Sequence, residues 1–434
     1  MAGQMMQEAA GKAIPAGYKQ TEVGVIPEDW SFYRLGDLEP YITSGSRGWA
    51  KFYSKHGDVF VRITNMSRES IYLDLKDICY VMIDAASSEG KRTSLEEGDV
   101  LVSITADIGI CSYIDSSLDK PAFINQHIAL IRFNHAKINS KFIAYYLSSH
   151  QIQKLFKGST DQGAKAGMNL DAVRMIKTAL PTLQEQTAIA NVLSDSDALI
   201  GALEQLIAKK QAIKSATMQQ LLTGRTRLPA FALRPDGTPK GFKPSELGDI
   251  PEDWEVAPIG SVLSITTGAR NTQDKVDDGR YPFFVRSQTV ERINTYSFDG
   301  EAVLTAGDGV GTGKIFHYVN GKFDFHQRVY LMYNFGERVS GYFFYLFFSN
   351  NFFERIMSMT AKSSVDSVRR EMIADMKMVL PSKVEQTAIA TILSDMDNEL
   401  EALTQKLEKA RALKQGMMQQ LLTGKIRLPL AVWA

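Results

Sequence analysis

The chain has 434 residues, 44% of them hydrophobic and 23% charged, which is an ordinary globular composition too long for one core, so two domains are expected. Lys plus Arg and Asp plus Glu balance at 49 each, which by itself argues against a strongly basic polyanion binder. No apolar run reaches the roughly 20 residues of a membrane span, and 1–16 carry no secretory pattern. Cys79 and Cys111 form no CxxC pair, which argues against a disulfide scaffold or zinc site and suits the reducing cytoplasm.

From the N-terminus, a lead-in (1–30) holds GYKQTEVGVIPEDW, Gly17 to Trp30. A variable block (31–180) follows. Short alternating runs read as strands at Tyr41, Asp58, Gly98 and Ile128 onwards, and helical spacing runs from Asn139 to Phe156. Next comes a long helix within 181–229. Leu-Pro precedes Thr182-Leu-Gln-Glu185, a capping box, and Thr-Gly at 223–224 with Pro229 stops the helix about 40 residues later.

The pattern then repeats. A linker and second lead-in (230–254) hold GFKPSELGDIPEDW, 224 residues after the first copy. A second variable block (255–380) shows strands at Ile265, Tyr281, Glu301 and Arg328 onwards and a helix near Gly341 to Met357. A second long helix lies within 381–434, opened by Ser382-Lys-Val-Glu385 and closed at Thr-Gly, 423–424. Between Pro181 and Pro229, 27 of 49 positions are identical 200 residues later, far beyond chance, whereas the two blocks share no comparable run. The reading is an α+β chain with a pseudo-two-fold internal repeat: shared frames that display two different heads.

Both long helices have heptad-like seams. One runs Leu193, Ser196, Ile200, Leu203, Ile207, Lys210, Lys214, Thr217, Leu221; the other runs Leu393, Met396, Leu400, Leu403, Leu407, Ala410, Lys414, Met417, Leu421. The simplest partner of each is the other. A two-fold relation would make the pair antiparallel and hold the heads more than one DNA turn apart, about 34–36 Å.

Loops between the expected strands carry residue types that suit phosphates and base edges: Arg and Lys for guanine and phosphate, Asn and Gln for adenine. The candidates in the first block are Arg47, Lys51, Arg62, Asn65, Arg68, Lys91, Arg92 and Lys165. Those in the second are Arg270, Arg280, Arg286, Gln288, Arg292, Lys314, Lys362, Arg369 and Arg370. Taken singly, each is a solvated surface side chain by default. The first block has 18 basic and 16 acidic residues and the second 14 and 14, so affinity for a polyanion must come from local patches or partners.

Catalytic motifs are missing. Ala306 to Lys314 is glycine-rich, but Ile315 stands where a phosphate loop needs Ser or Thr, so it reads as a turn. The six histidines form no zinc-spaced set, so no metal is expected, and no strand-then-GxGxxG unit or methyltransferase motif is present. Read from residues alone, a coiled-coil scaffold and a self-contained DNA-modifying enzyme remain alternatives to a DNA reader.

The frames resemble those of Type I restriction–modification specificity subunits. The resembling residues are the Pro-Glu-Asp-Trp lead-ins at 27–30 and 251–254, the Glu-Gln-x-Ala-Ile-Ala starts at 185–190 and 385–390, and the Gln-Gln-Leu-Leu-Thr-Gly ends at 219–224 and 419–424. That resemblance implies a non-catalytic, cytoplasmic subunit of a host-defence complex. Its blocks would be two target recognition domains, each reading one half of a bipartite asymmetric site in double-stranded DNA. Its helices would form an antiparallel coiled coil that sets the spacer. It further implies two modification (methyltransferase) subunits and restriction (translocase/endonuclease) subunits as partners. S-adenosylmethionine, ATP and magnesium would then sit on those partners and no cofactor on this chain.

Overall fold

The computed structural model describes residues 14–45, 47–84, 87–160, 167–359 and 367–429, with backbone alone at 158–160. Two compact units emerge, divided at Gln205 and Thr404. The first combines the residues up to Gln205 with those from Gln405 on; the second is Leu206–Thr404. Each long helix therefore gives its first half to one unit and its second half to the other.

In the first unit, an antiparallel sheet runs in the order Tyr41–Ser44, Ile128–Arg132, Val100–Ser103, Cys111–Tyr113. A second sheet runs Ala122–Ile124, Asp58–Val61, Cys79–Val81, Tyr53–Ser54, its first pair parallel. Strand alternation divides side chains between two cores. Val100 and Val102 join Trp30, Phe142 and Leu193, while Leu101, between them, joins Val59, Ile124 and Leu130. The expected helix over Asn139–Phe156 is two helices, Ser140–Ser148 and His150–Thr160, because Ser149 is extended (φ −64°, ψ 148°) and ends the first.

In the second unit, one six-stranded sheet runs Ser264–Thr267, Val329–Tyr333, Phe298–Ala306, Phe316–Phe325, Tyr281–Phe284, Glu291–Ile293. Again Val303 faces one core, with Trp254 and Phe343, while Ala302 and Leu304 face the other, with Phe323 and Phe325. The helix Gly341–Ser358 lies on the first of these cores through Phe343, Phe344, Phe347, Phe348 and Phe352.

Each block is closed by a ribbon of its own first and last strands. Ser31–Arg34 pairs with Lys177–Leu180, and Glu255–Pro258 with Lys377–Leu380, both antiparallel. Ser31 stands opposite Leu180 and Glu255 opposite Leu380. A chain segment whose two ends are bonded to each other can change inside without moving what it is mounted on.

The long helices span Leu183–Leu222 and Lys383–Leu421. Within the first unit Asp197 meets Lys414 and Glu204 meets Arg411; within the second Lys210 meets Glu399 and Lys214 meets Asp397. In both units numbering rises on one helix as it falls on the other, so the pairing is antiparallel. The three lysines in the seams, Lys210, Lys214 and Lys414, are thus counter-ions for the partner helix. Lys414 is 8% exposed, faces the Tyr145 ring at 5.7 Å and shares Asp197 with the Tyr145 hydroxyl, which donates to it at 2.7 Å.

The capping boxes are half formed. Thr182 and Ser382 accept from the amides of Glu185 and Glu385 at 3.3 Å. The glutamates turn elsewhere, because each is buried and taken by an arginine that follows the C-terminal end of the other helix. Arg427 bonds Glu185 and Asp29 in the first unit; Arg227 bonds Glu385 and Asp253 in the second. Gly224 and Gly424 end the helices at φ +73° and +67°, and a Cβ there would strike Pro251 and Pro27 of the lead-ins at 2.6 and 2.4 Å.

This cluster makes the second unit sensitive to acid. Partial burial disfavours the charged form of Asp253, but hydrogen bonds from Arg227 and Lys240 outweigh it and hold the carboxyl at about 2 instead of 3.8. A group depressed in the folded state stabilises above its unfolded pKa and loses that contribution as pH falls through its folded one. Urea unfolding is therefore expected to show stability declining between about pH 4 and pH 2, with a shallower decline in Asp253→Asn.

Candidate nucleic-acid interface

At one end of each head, loops gather where strands finish, and both heads use the same backbone wiring there. In the first head the Ile104 amide donates to the His127 carbonyl at 2.9 Å, and Met168 donates back to the Ile104 carbonyl at 2.8 Å. In the second head Gly307 donates to Arg328 at 2.8 Å and Val368 to Gly307 at 2.7 Å. Bridges Thr105–Gly167 and Asp308–Ser367 follow the same plan. Gly45 and Gly268 each pass so close to the next loop that a Cβ would lie 2.3 Å from the Ile124 carbonyl and 2.0 Å from that of Phe325.

On this common wiring the side chains differ. Asn125, Gln126 and His127 occupy one loop of the first head; His326, Gln327 and Arg328 occupy its counterpart in the second. His127 bonds Thr105 through Nδ1 and lies 2.7 Å from Gln126 Nε2 through Nε2. Gln327 donates to Asn271 at 2.6 Å, and Arg286 and Arg328 share Asp308 at 2.8 and 3.7 Å. Burial, followed by the repulsion of Arg286 and Arg328, holds the His326 imidazole below its usual range. At this end of the second head two arginines therefore share one carboxylate, although the block is neutral overall.

The expected contact residues fall into three groups. Arg47, Lys51, Lys91, Arg280, Arg286, Gln288, Lys314, Arg369 and Arg370 are exposed. Lys51 and Lys314 lie over the Phe52 and Phe353 rings, Arg280 lies over Tyr281, and Arg286 carries the Asp308 pair just described. Others are committed to the fold. Asn65 is 4% exposed; its carbonyl accepts from the Arg62 amide and its amide donates to the Asp74 and Asp77 carbonyls, which leaves it nothing to offer a base. Arg62 clasps Asp77, Arg92 bonds Glu89, Thr43 and Ser44, and Arg68 ties Gln153, Asp107 and the Ile108 carbonyl together. Arg270 bonds the buried Asp324, and the exposed Arg292 secures the Gly279 and Arg280 carbonyls. Lys165 and Lys362 lie outside the described residues.

Arg328, Gln327, Gln126 and His127 were not among the expected contacts. Arg328 sits directly before a strand and reads as its first residue, so it is a loop position only once the backbone turns at 326–328. The glycine-rich 307–313 is a turn between Phe298–Ala306 and Phe316–Phe325 with no helix starting at Lys314, as a phosphate loop would require. Among the described residues no group of His, Cys, Asp and Glu is placed to hold a metal ion. No helix of the described residues is long and apolar enough to cross a membrane.

The family described as Type I restriction modification DNA specificity domain matches residues 27–215 and 251–411. A putative type I restriction enzyme MjaX specificity subunit of Methanocaldococcus jannaschii is 26% identical over 430 residues, 95% of this chain and 97% of that protein. The type I restriction enzyme EcoDI specificity subunit of Escherichia coli is 31% identical over 176 residues, 41% of this chain and 38% of that protein. Among solved structures, the Type-I restriction-modification S subunit from M. genitalium has the same fold, with TM-score 0.58 at 14% identity over 90% of this chain and 96% of that one.

Proposed function

The chain belongs to the Type I restriction–modification DNA specificity family, and on that premise we propose that its heads each read one half of a bipartite, asymmetric DNA site. It is the specificity subunit and not the catalytic one. The observation that carries the bipartite reading is the shared wiring of the two loop ends beneath unlike side chains: Asn-Gln-His in one head, His-Gln-Arg in the other. Identical mounts with different donor and acceptor sets suit the recognition of different base sequences in similar poses.

In this reading modification subunits bring S-adenosylmethionine and the methyl transfer, and restriction subunits bring ATP, magnesium and cleavage, with the complex working in the cytoplasm on double-stranded DNA. Phosphate contacts from those partners supply the charge that this neutral chain lacks. Methylome sequencing of cells carrying the chain with its modification partner tests the proposal. The expected result is one motif of two unlike half-sites with a fixed gap; a contiguous or strictly palindromic motif would overturn it.

The paired helices are proposed to set that gap, since each runs from one unit into the other. Removing one heptad from each at facing positions, 203–209 and 403–409, preserves the seam. Methylation of the original site is expected to stop, and any that persists is expected at a shorter gap. Undiminished methylation of the original site would remove the ruler role.

A further inference from the structure

We infer that Val310 is a base-contacting tip of the second head that touches the 5-methyl group of a thymine in the major groove. The inference rests on reading this head as a DNA reader. Val310 is 101% exposed at the apex of the turn joining Phe298–Ala306 to Phe316–Phe325. It contributes nothing to either core. The turn around it is nevertheless firmly built. The Thr312 hydroxyl donates to the Gly309 carbonyl at 2.6 Å, and the amides of Lys314 and Ile315 donate to Gly311 at 3.0 and 3.1 Å. Its base is clamped by the Gly307 bonds to Arg328 and Val368. Gly309 and Gly313 supply the left-handed backbone, at φ +85° and +70°. An apolar side chain is thus held out in water on a turn that is already ordered, so little entropy is lost when something meets it.

What surrounds it selects the occupant. Arg286 and Arg328 share the single carboxylate of Asp308, Lys314 closes the turn, and Arg369 and Arg370 follow the strip bonded to Gly307. A small apolar tip on a loop end that also carries cations complements a surface with anionic rails and an apolar spot between them. Duplex DNA offers this at the thymine methyl, which lines the major groove beside the phosphates. The corresponding turn of the first head has no such tip: it buries Ile108 to 6% exposure and is tied down by Arg68 through Asp107. The contact is therefore expected in one half-site only.

The test uses the assembled complex of the chain with its modification partner and short duplexes carrying the site found by methylome sequencing. Each thymine of the second half is replaced in turn by uracil, which lacks only the methyl. One such replacement is expected to weaken binding about fourfold, the worth of one buried methyl. Val310→Ala is expected to bind the unmodified duplex weaker by a similar factor and to ignore that uracil, while uracils in the first half affect both proteins alike. Val310→Ser serves as a second variant, and exposure means that both fold. Three results overturn the inference: equal uracil responses in wild type and variants, a second half-site without thymine, or variants that lose the modification partner while keeping the uracil response, which would make the tip a protein contact. A duplex with the second half scrambled separates this from the underlying reading. If scrambling leaves binding unchanged, the second head reads no sequence at all.

Discussion

Arg227→Ala is expected to cost the second unit about 3–5 kcal/mol, the range for breaking a buried ion pair by removing one partner. The Arg227 side chain is 8% exposed and that of Glu385 2%. Arg227 donates from Nε and Nη2 to Glu385 at 2.7 and 2.8 Å, and from both Nη atoms to Asp253 at 2.7 and 3.1 Å. Its guanidinium lies 5.5 Å from the Trp254 ring, whose Nε1 donates to the same glutamate. Burial alone would lower the guanidinium pKa, but Asp253 and Glu385 more than offset it. Without Arg227, the Glu385 carboxylate is left in a dry site with one indole N–H for company. Exposed pairs behave differently. Arg411 and Glu204, each with 47% of its side chain exposed, are expected to contribute under about 1 kcal/mol. Urea midpoints of Arg227→Ala and Arg411→Ala decide the matter, and equal small losses would show the cluster to be ornamental. The joint replacement of Arg227 and Glu385 by methionine is expected to recover much of the loss, since the penalty is the stranded charge.

Exchanging residues 255–380 for the matching block of a relative is expected to replace the second half-site wholly and leave the first half and the gap unchanged. The mounting explains why. The block enters and leaves on one ribbon, Glu255 opposite Leu380. It is further held to the second long helix by Gln386, whose Oε1 accepts from the Ser340 amide at 2.9 Å and whose Nε2 donates to the Arg338 carbonyl at 2.8 Å. Gln186 receives the Asn139 amide of the first block at 2.9 Å in the same way. These bonds go to backbone atoms, which every sequence supplies. Since each mismatched base pair costs about 1–3 kcal/mol, the original site should lose on the order of a thousandfold in preference once several pairs differ. Methylome sequencing reads the outcome; a change in both halves, or in neither, would end the modular account.

Both predictions draw on features that differ in how far the sequence shows them. The repeat, the long helices and their stops are local or periodic signals, and they stand where the pattern puts them. The seam period also survives, as Leu193, Leu221, Leu393 and Leu421 are all buried. The strand Phe316–Phe325 has no clear sequence signal because its first seven residues are mostly half-exposed and polar, which blurs alternation. Side-chain roles in loops are the part a sequence shows least. Arginines such as Arg62 and Arg68 have the same appearance in a loop whether they face water or clasp a carboxylate, and only the distant partners Asp77, Asp107 and Gln153 decide between those roles.

Two unlike heads on twin frames are legible from the residues alone, because duplication and helical periodicity are written in consecutive positions. Tertiary structure alone decided how the frames are locked. Glu185 and Glu385 sit in capping motifs, yet they serve Arg427 and Arg227 from just past the end of the other helix, 242 and 158 residues away. Lys214 and Lys414 look like flaws in a seam until antiparallel pairing sets Asp397 and Asp197 beside them. A buried charge finds its partner across space, and no local pattern records which one that is.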